Sequence, residues 1–139
     1  MAIRTVDAEW RGNLAQGSGR MQLGSGAFEG SYDFRSRLDE GDGTSPEEPL
    51  GAAHAGCFSI AIQLPMRTSL SNTSHTTANA HFQKHAGGRS THRINLEIEA
   101  SISNVTAVAF EEYAQNAEKN CPVSRALSGV DIHLRAKRL

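Results

Sequence analysis

A long apolar run in the middle of the chain constrains the fold more than any other feature of the sequence. The run lies in TSPEEPLGAAHAGCFSIAIQLP, residues 44–65, where Thr44 or Ser45 can cap a helix. Apolar residues then cover most of the helix circumference, which predicts a helix buried on every side. Pro49 disfavours helical geometry at the residue before it, so we expect an irregular first turn or a regular helix beginning near Pro49. Pro65 is expected to end or kink the helix.

Alternating and glycine-punctuated segments on both sides of this helix predict β-strands. The clearest alternation runs over 92–102, and KHAGGRS at 84–90 predicts a hairpin turn before it. Helical spacing follows at 105–119, with a second short helix expected at 121–127. The predicted strands are residues 5–10, 19–23, 31–37, 75–83, 92–102 and 130–136. A polar turn or loop is expected at 38–43, and a loop or a helix tail at 66–74. Two groups of strands around a central helix indicate an α+β fold with antiparallel sheets.

Length, charge and composition exclude several classes of protein. The chain has 139 residues, which fits one domain over 1–139. Its apolar content of 38% is low for a compact monomer and favours a core shared across a dimer. The net charge of −1 argues against nucleic-acid and membrane-surface partners, and no apolar segment is long enough to span a membrane. The N-terminal MAIRTVDAEW lacks a basic region followed by an apolar one, so we expect a cytoplasmic protein without a secretory signal.

The chain contains two cysteines, Cys57 in the apolar helix and Cys121 directly before Pro122. Taken alone, Cys57 is typical of a small buried core residue. Cys121 lies where a helix begins, and the unpaired amide groups there lower the pKa of a thiol. In a reducing compartment such a pair is more often catalytic or metal-binding than structural. A zinc site built from His54, Cys57 and Cys121 is the rival interpretation, although the paired ligand spacing of zinc proteins is absent.

A thiolate in an apolar helix requires a nearby cation to offset its desolvation. The candidates closest in sequence are Arg35 and Arg37, which have the same parity on the predicted strand and are expected to point the same way. Glu47 is the candidate carboxylate that would orient such an arginine through a bidentate pair.

Four segments together resemble the OsmC/Ohr family of thiol-dependent hydroperoxide reductases, most of all its OsmC branch. They are F-x-x-R ending at Arg37, GTSPEE at 43–48, GAAHAGCFS at 51–59 and NCPVSRAL at 120–127. Either cysteine motif alone is weak, whereas the two together are specific. Pro49 departs from the pattern, because the family usually has leucine there. The resemblance implies an intertwined homodimer, in which antiparallel sheets surround two long central helices and the active sites lie at the subunit interface.

The resemblance also implies roles for individual residues. Cys57 would be the peroxidatic thiol and Cys121 the resolving thiol. Arg37 would hold the peroxidatic thiolate, and Glu47, which follows the proline of the P-E motif, would pair with that arginine. Arg20 in GSGRMQ is the second candidate, because the Ohr branch takes its arginine from an earlier glycine-rich strand. Helix-end electrostatics alone would make Cys121 the more acidic thiol, whereas the family pattern favours Cys57.

The implied activity is the reduction of organic hydroperoxides, and more weakly of hydrogen peroxide, to alcohols. Cys57 would become a sulfenic acid and condense with Cys121 to a disulfide, which an external dithiol would reset. The resemblance suggests dihydrolipoyl groups of a lipoylated protein as this reductant. No metal or flavin cofactor is required, because the O–O bond is weak and a thiolate is a sufficient nucleophile. The alternatives are a dimeric protein that is structural or binds a small apolar ligand, and the His/Cys metal site.

Overall fold

The computed structural model describes residues 1–38, 41–67 and 72–139, so the loop expected at 38–43 and the loop or helix tail expected at 66–74 lie partly outside the described residues. The chain divides into two compact units, Met1–Glu48 and Pro49–Leu139. Within the described ranges, the helices are all too short or too polar to cross a lipid bilayer. A single domain over the whole chain stays a prediction.

The first unit contains a three-stranded antiparallel sheet in the order β1-β2-β3. Its strands are β1 (Val6–Arg11), β2 (Ser18–Leu23) and β3 (Glu29–Tyr32), so the first two predicted strands are confirmed. Gly12 follows β1 with a φ of 93°, a backbone conformation that residues other than glycine rarely adopt. A glycine at this position therefore lets the chain turn directly from β1 towards β2.

The predicted strand at 31–37 is wrong in its second half, which forms the short helix α1 (Phe34–Leu38). The cause is local, because Asp33 and Ser36 cap the helix reciprocally. The Ser36 amide donates to Asp33 Oδ1 at 2.6 Å, and the Asp33 amide donates to Ser36 Oγ at 2.9 Å. Arg35 and Arg37 lie on this helix, where residues two apart point to different sides. The expectation that both arginines share one strand face is therefore wrong.

The predicted long helix is α2 (Glu47–Met66). Pro49 lies in its first turn, where an amide group would have no partner within the helix, and the helix passes Pro65 by one residue. The expected burial on every side is wrong for the single chain. Ile62 is fully buried, whereas Ile60 is 73% exposed and Leu64 is 66% exposed. The reason is that the core of the second unit lies on one side of the helix.

The second unit contains a second three-stranded sheet, in the order β4-β5-β6. The strands β4 (Asn72–His85) and β5 (Gly88–Ile102) form the predicted antiparallel hairpin. The strand β6 (Asp131–Arg138), however, pairs parallel to β5, so the expectation of purely antiparallel sheets is wrong. The chain reaches β6 through the helices α3 (Ala107–Asn120) and α4 (Pro122–Ala126). Such a helical crossover returns the chain to the same end of the sheet, which produces a parallel pair.

One face of β5 forms the centre of this unit's core. Every second residue from Ile94 to Ile102 is buried, as the alternation in the sequence predicts. These side chains pack with buried residues of α2 and with Phe110 of α3. Burying a side chain as large as Phe110 stabilises the fold by about 1.5–3 kcal/mol relative to its exposure. The packing holds α2 and α3 against the same sheet, and the two cysteines lie in α2 and at the end of α3.

Candidate thiol site

The structure brings the two cysteines together. Cys57 is half-buried in the middle of α2, and Cys121 is fully buried between α3 and α4. Both thiols are free, and each changes the pKa of the other, so the two side chains are neighbours. A disulfide between the two cysteines stays a prediction.

The backbone on both sides of Cys121 is held firmly. The Cys121 amide donates to the Ala117 carbonyl at 2.8 Å, and the Cys121 carbonyl accepts from the Arg125 amide at 3.0 Å. The residue itself is extended, with a ψ of 124°, because the proline at position 122 disfavours helical geometry in the residue before it. This break between α3 and α4 sets the position of the sulfur.

The surroundings shift the two thiols in opposite directions. Burial raises the pKa of Cys57, and its hydrogen bond to Cys121 raises it further. Burial also acts to raise the pKa of Cys121. There, however, hydrogen bonds from the Cys57 thiol, from the Ser124 amide and hydroxyl, and from the Val123 amide outweigh burial and hold the pKa below its ordinary value. The lowered pKa of Cys121 agrees with the helix-end argument, which made Cys121 the more acidic thiol.

A buried polar pair lies beyond Cys121. His54 of α2 places its Nε2 atom 2.7 Å from the Ser124 hydroxyl oxygen, and both residues are buried. Burial lowers the pKa of His54 and so favours the neutral ring. Sequence reasoning considered His54 only as a metal ligand and missed Ser124. The available signal was the spacing of Cys121 and Ser124, because residues three apart are neighbours on a helical turn.

An apolar cavity of about 630 Å³ adjoins the half-buried thiol. Two of its lining residues, Ile60 and Leu64, are the exposed apolar residues of α2, so the cavity is open along this side of the helix. The other side is formed by α3 and the start of α4. The lining residues are Cys57, Ile60, Ala61, Leu64, Pro65, Tyr113, Asn116, Ala117, Asn120 and Pro122.

The first unit contains the ion pair expected between Arg37 and Glu47. Both Nε and Nη2 of Arg37 donate to Oε1 of Glu47, at 3.1 and 2.9 Å. The two donors thus converge on one carboxylate oxygen and do not form the expected bidentate pair. Glu48 is held separately, because it accepts a hydrogen bond from the Thr44 hydroxyl. The placement of the Arg37–Glu47 pair against Cys57 stays a prediction.

The other candidate cations have different surroundings. Arg20 on β2 pairs with Glu29 on the neighbouring strand β3, and Arg35 is exposed on α1. For the metal interpretation, the described parts of the chain hold no group of three His, Cys, Asp or Glu side chains arranged to bind an ion. His54 in particular directs Nε2 at Ser124.

Comparison with known proteins agrees with the pattern of motifs. A profile of the OsmC-like protein family matches residues 39–135. Peroxiredoxin OsmC of Escherichia coli (strain K12) is 36% identical over 123 residues, which cover 86% of each chain. The chain belongs to the OsmC-like protein family. The resemblance inferred from the two cysteine motifs is therefore confirmed.

Two solved structures share the fold of this OsmC-like chain. An OsmC-like protein of unknown function from Vibrio cholerae aligns with a TM-score of 0.78 at 14% identity, over 98% of this chain and 99% of that one. An organic hydroperoxide resistance protein OsmC from Legionella pneumophila aligns with a TM-score of 0.72 at 23% identity, over 100% of both chains. The α+β class is thereby confirmed, while the intertwined homodimer stays a prediction.

Proposed function

We propose that this OsmC-like chain is a thiol-dependent peroxidase that reduces organic hydroperoxides to alcohols. The observation that carries the proposal is the contact between two free cysteines, one of which lines an apolar cavity. The names of two similar proteins, a peroxiredoxin and an organic hydroperoxide resistance protein, support the same chemistry.

In the first step the Cys57 thiolate attacks one oxygen of the hydroperoxide. A sulfur–oxygen bond forms, the O–O bond breaks, and the alkoxide takes up a proton and leaves as the alcohol. Cys57 is then a sulfenic acid. Since burial and Cys121 both disfavour the Cys57 thiolate, the step requires a cation beside this sulfur. Arg37, oriented by Glu47, is the proposed cation, and it would draw the shared proton from Cys57 to Cys121.

In the second step Cys121 attacks the sulfenic sulfur of Cys57. The disulfide forms, the sulfur–oxygen bond breaks, and the hydroxyl group leaves as water with the thiol proton. The two thiols are neighbours in the reduced protein, so we expect closure to require only a small movement. The half-buried Cys57 side chain is the one with room for this movement, because Cys121 is fully buried.

An external dithiol then resets the disulfide. Its thiolate attacks Cys57, because Cys121 is fully buried, and the electron pair of the broken bond leaves with Cys121. The second thiol of the reductant attacks the mixed disulfide, releases Cys57 and becomes part of the oxidised reductant. A dihydrolipoyl group suits this step because its two thiols close readily into a ring. We propose such a group, carried on a lipoylated protein, as the reductant.

The cavity favours substrates with an apolar body. Side chains such as Leu64 and Tyr113 can bury an alkyl or aryl group, whose transfer from water is favourable in proportion to its apolar area. Hydrogen peroxide has no such group, so we expect it to react more slowly. Ile60 and Leu64 are also exposed in the single chain, and we propose that a second copy of the chain covers them in a homodimer.

A titration of free thiols tests the proposal. The fully reduced protein is mixed with one equivalent of cumene hydroperoxide, and the remaining thiols are counted with a chromogenic disulfide reagent under denaturing conditions. We expect both thiols of each chain to disappear, with release of cumyl alcohol. Cys57→Ser should retain its thiol and produce no alcohol. Cys121→Ser should still produce one equivalent of alcohol while failing to form an intramolecular disulfide.

The same titration separates the proposal from its alternatives. A structural or ligand-binding protein predicts that both thiols survive the hydroperoxide. Survival of both thiols in a folded, reduced sample would therefore overturn the peroxidase assignment. A matched reaction with hydrogen peroxide, followed at the same concentration, measures the contribution of the apolar body of the substrate.

A further inference from the structure

A buried chain of polar side chains runs from the middle of α2 to the sulfur of Cys121. His54 Nε2 lies 2.7 Å from Ser124 Oγ, and Ser124 follows Cys121 by three residues at the start of α4, where its hydroxyl lowers the pKa of the Cys121 thiol. His54 is fully buried and Ser124 is 5% exposed. Buried polar groups that are aligned in this way are held in one arrangement, because each lost partner leaves another group unsatisfied.

The donors and acceptors of this chain allow one direction. Ser124 has a single hydroxyl hydrogen, and its effect of lowering the Cys121 pKa requires this hydrogen to face the Cys121 sulfur, where it stabilises negative charge. The Ser124 oxygen must then accept from His54, so the hydrogen of the neutral ring is on Nε2. The other ring nitrogen, Nδ1, is buried and has no hydrogen-bond partner in the described part of the chain. The hydrogens of His54 Nε2 and of the Ser124 hydroxyl therefore both point towards Cys121.

We propose that His54 and Ser124 are positioning residues for Cys121, in which the His54 ring fixes the Ser124 hydroxyl as a donor to the Cys121 sulfur. The inference rests on the proposed function and deepens it. Cys121 carries negative charge twice in that cycle, when it attacks the sulfenic acid and when the reductant expels it from the disulfide. A fully buried sulfur has little water to stabilise this charge, so fixed donors must replace the solvent.

The arrangement favours the departure of Cys121 in the reduction step. A thiol of lower pKa leaves a disulfide faster, and the attacked sulfur is the accessible one, Cys57. The bond between the sulfurs then breaks towards Cys121, whose electron pair meets the hydrogen of Ser124. The pair His54–Ser124 thus acts together with the burial of Cys121 to place the mixed disulfide on Cys57.

The first test measures the Cys121 thiolate directly and requires no peroxidase activity. In a Cys57→Ser background the remaining thiol is Cys121, and its thiolate is followed by absorbance near 240 nm as the pH is raised. Of the groups that shift Cys121, only Cys57 titrates, and it is absent here. Adding Ser124→Ala should lower the thiolate fraction about tenfold at any pH well below the midpoint, because a hydrogen bond to a charged group is lost. Ser124→Thr, which keeps the hydroxyl, should restore most of it.

The second test asks whether His54 acts through Ser124. In the same background His54→Leu should lower the thiolate fraction, and His54→Gln, which keeps an N–H near the position of Nε2, should restore it. Once Ser124 is alanine, His54→Leu should have no further effect on the titration. An equal effect of His54→Leu with and without the Ser124 hydroxyl would overturn the proposed order.

A measurement on the unmodified protein covers the case in which a variant does not fold. Nitrogen-15 NMR of the histidine rings reports which nitrogen carries the hydrogen, and we expect Nε2–H for His54. An Nδ1–H ring, or an unchanged Cys121 titration in folded Ser124→Ala, would refute the inference. Both outcomes are independent of hydroperoxide turnover, so they are distinguishable from a failure of the peroxidase proposal.

Discussion

The ion pair of Arg37 and Glu47 predicts an asymmetric loss of stability. The Glu47 side chain is 10% exposed, whereas that of Arg37 is 41% exposed. Arg37→Met removes both donors to Oε1 and leaves a buried carboxylate without its cation. Breaking a fully buried pair in this way costs about 3–5 kcal/mol, and an exposed pair is worth about 0–1 kcal/mol. Because one partner is buried and the other partly solvated, we expect about 2 kcal/mol.

Glu47→Gln should cost less, about 0.5–1 kcal/mol, because water can solvate the Arg37 guanidinium and the amide oxygen still accepts from it. The assay is urea unfolding at neutral pH and one fixed protein concentration. With ordinary denaturant slopes, a loss of 2 kcal/mol lowers the midpoint by roughly 1 M. Arg35→Met is the matched control, since Arg35 is an exposed arginine of the same helix, and it should change stability by less than about 0.5 kcal/mol.

The double variant Arg37→Met/Glu47→Gln provides the internal check. It removes the stranded charge together with its partner, so it should be more stable than Arg37→Met alone. An Arg37→Met protein at least as stable as Glu47→Gln would refute the reasoning, because it would mean that the Glu47 carboxylate does not depend on this cation.

Two further predictions concern α2. Burial lowers the pKa of His54 below its ordinary value of 6.5, so the unfolded chain binds a proton at this residue at a higher pH than the folded chain does. The contribution of the neutral His54 to the free energy of unfolding is therefore fully present above pH 6.5 and is lost as the pH falls through the pKa of the folded state. Urea unfolding at about pH 7.5 and about pH 5.5 should therefore show a smaller acid loss in His54→Gln than in the unmodified chain, and equal losses would contradict this. Ile60→Lys places a charge on the exposed apolar face of α2 and should shift the protein from dimer to monomer in light scattering. Val108→Lys changes an exposed residue of α3 and should leave the dimer intact, and a monomeric unmodified protein would refute the proposed dimer.

Patterns with a clear period were predicted well, and features set by a few side chains were not. The strand at 92–102 was predictable because every second residue of β5 faces the core. Arg35 and Arg37 were placed on a strand because alternation outweighed the reciprocal capping of Asp33 and Ser36, which is visible only as two polar residues three apart.

The direction of a strand within its sheet and the contacts between residues far apart in sequence could not be predicted, for a different reason. Alternation in residues 130–136 predicts a strand, but it carries no information on whether that strand runs parallel to its neighbour. The two cysteines were found because each lies in a specific motif. The contact of His54 with Ser124 joins two helices that are far apart in the sequence, and neither residue alone indicates it.

The parallel pairing of β5 with β6 has a consequence for folding kinetics. Cys57 and Cys121 are separated in sequence by the whole hairpin of β4 and β5 and by α3. Parallel pairs and their crossovers close long loops, and such contacts form late and slowly. Before they form, Cys57 and Cys121 lack each other as partners. We therefore expect a newly synthesised chain to form the Cys57–Cys121 disulfide inefficiently until its second unit is complete.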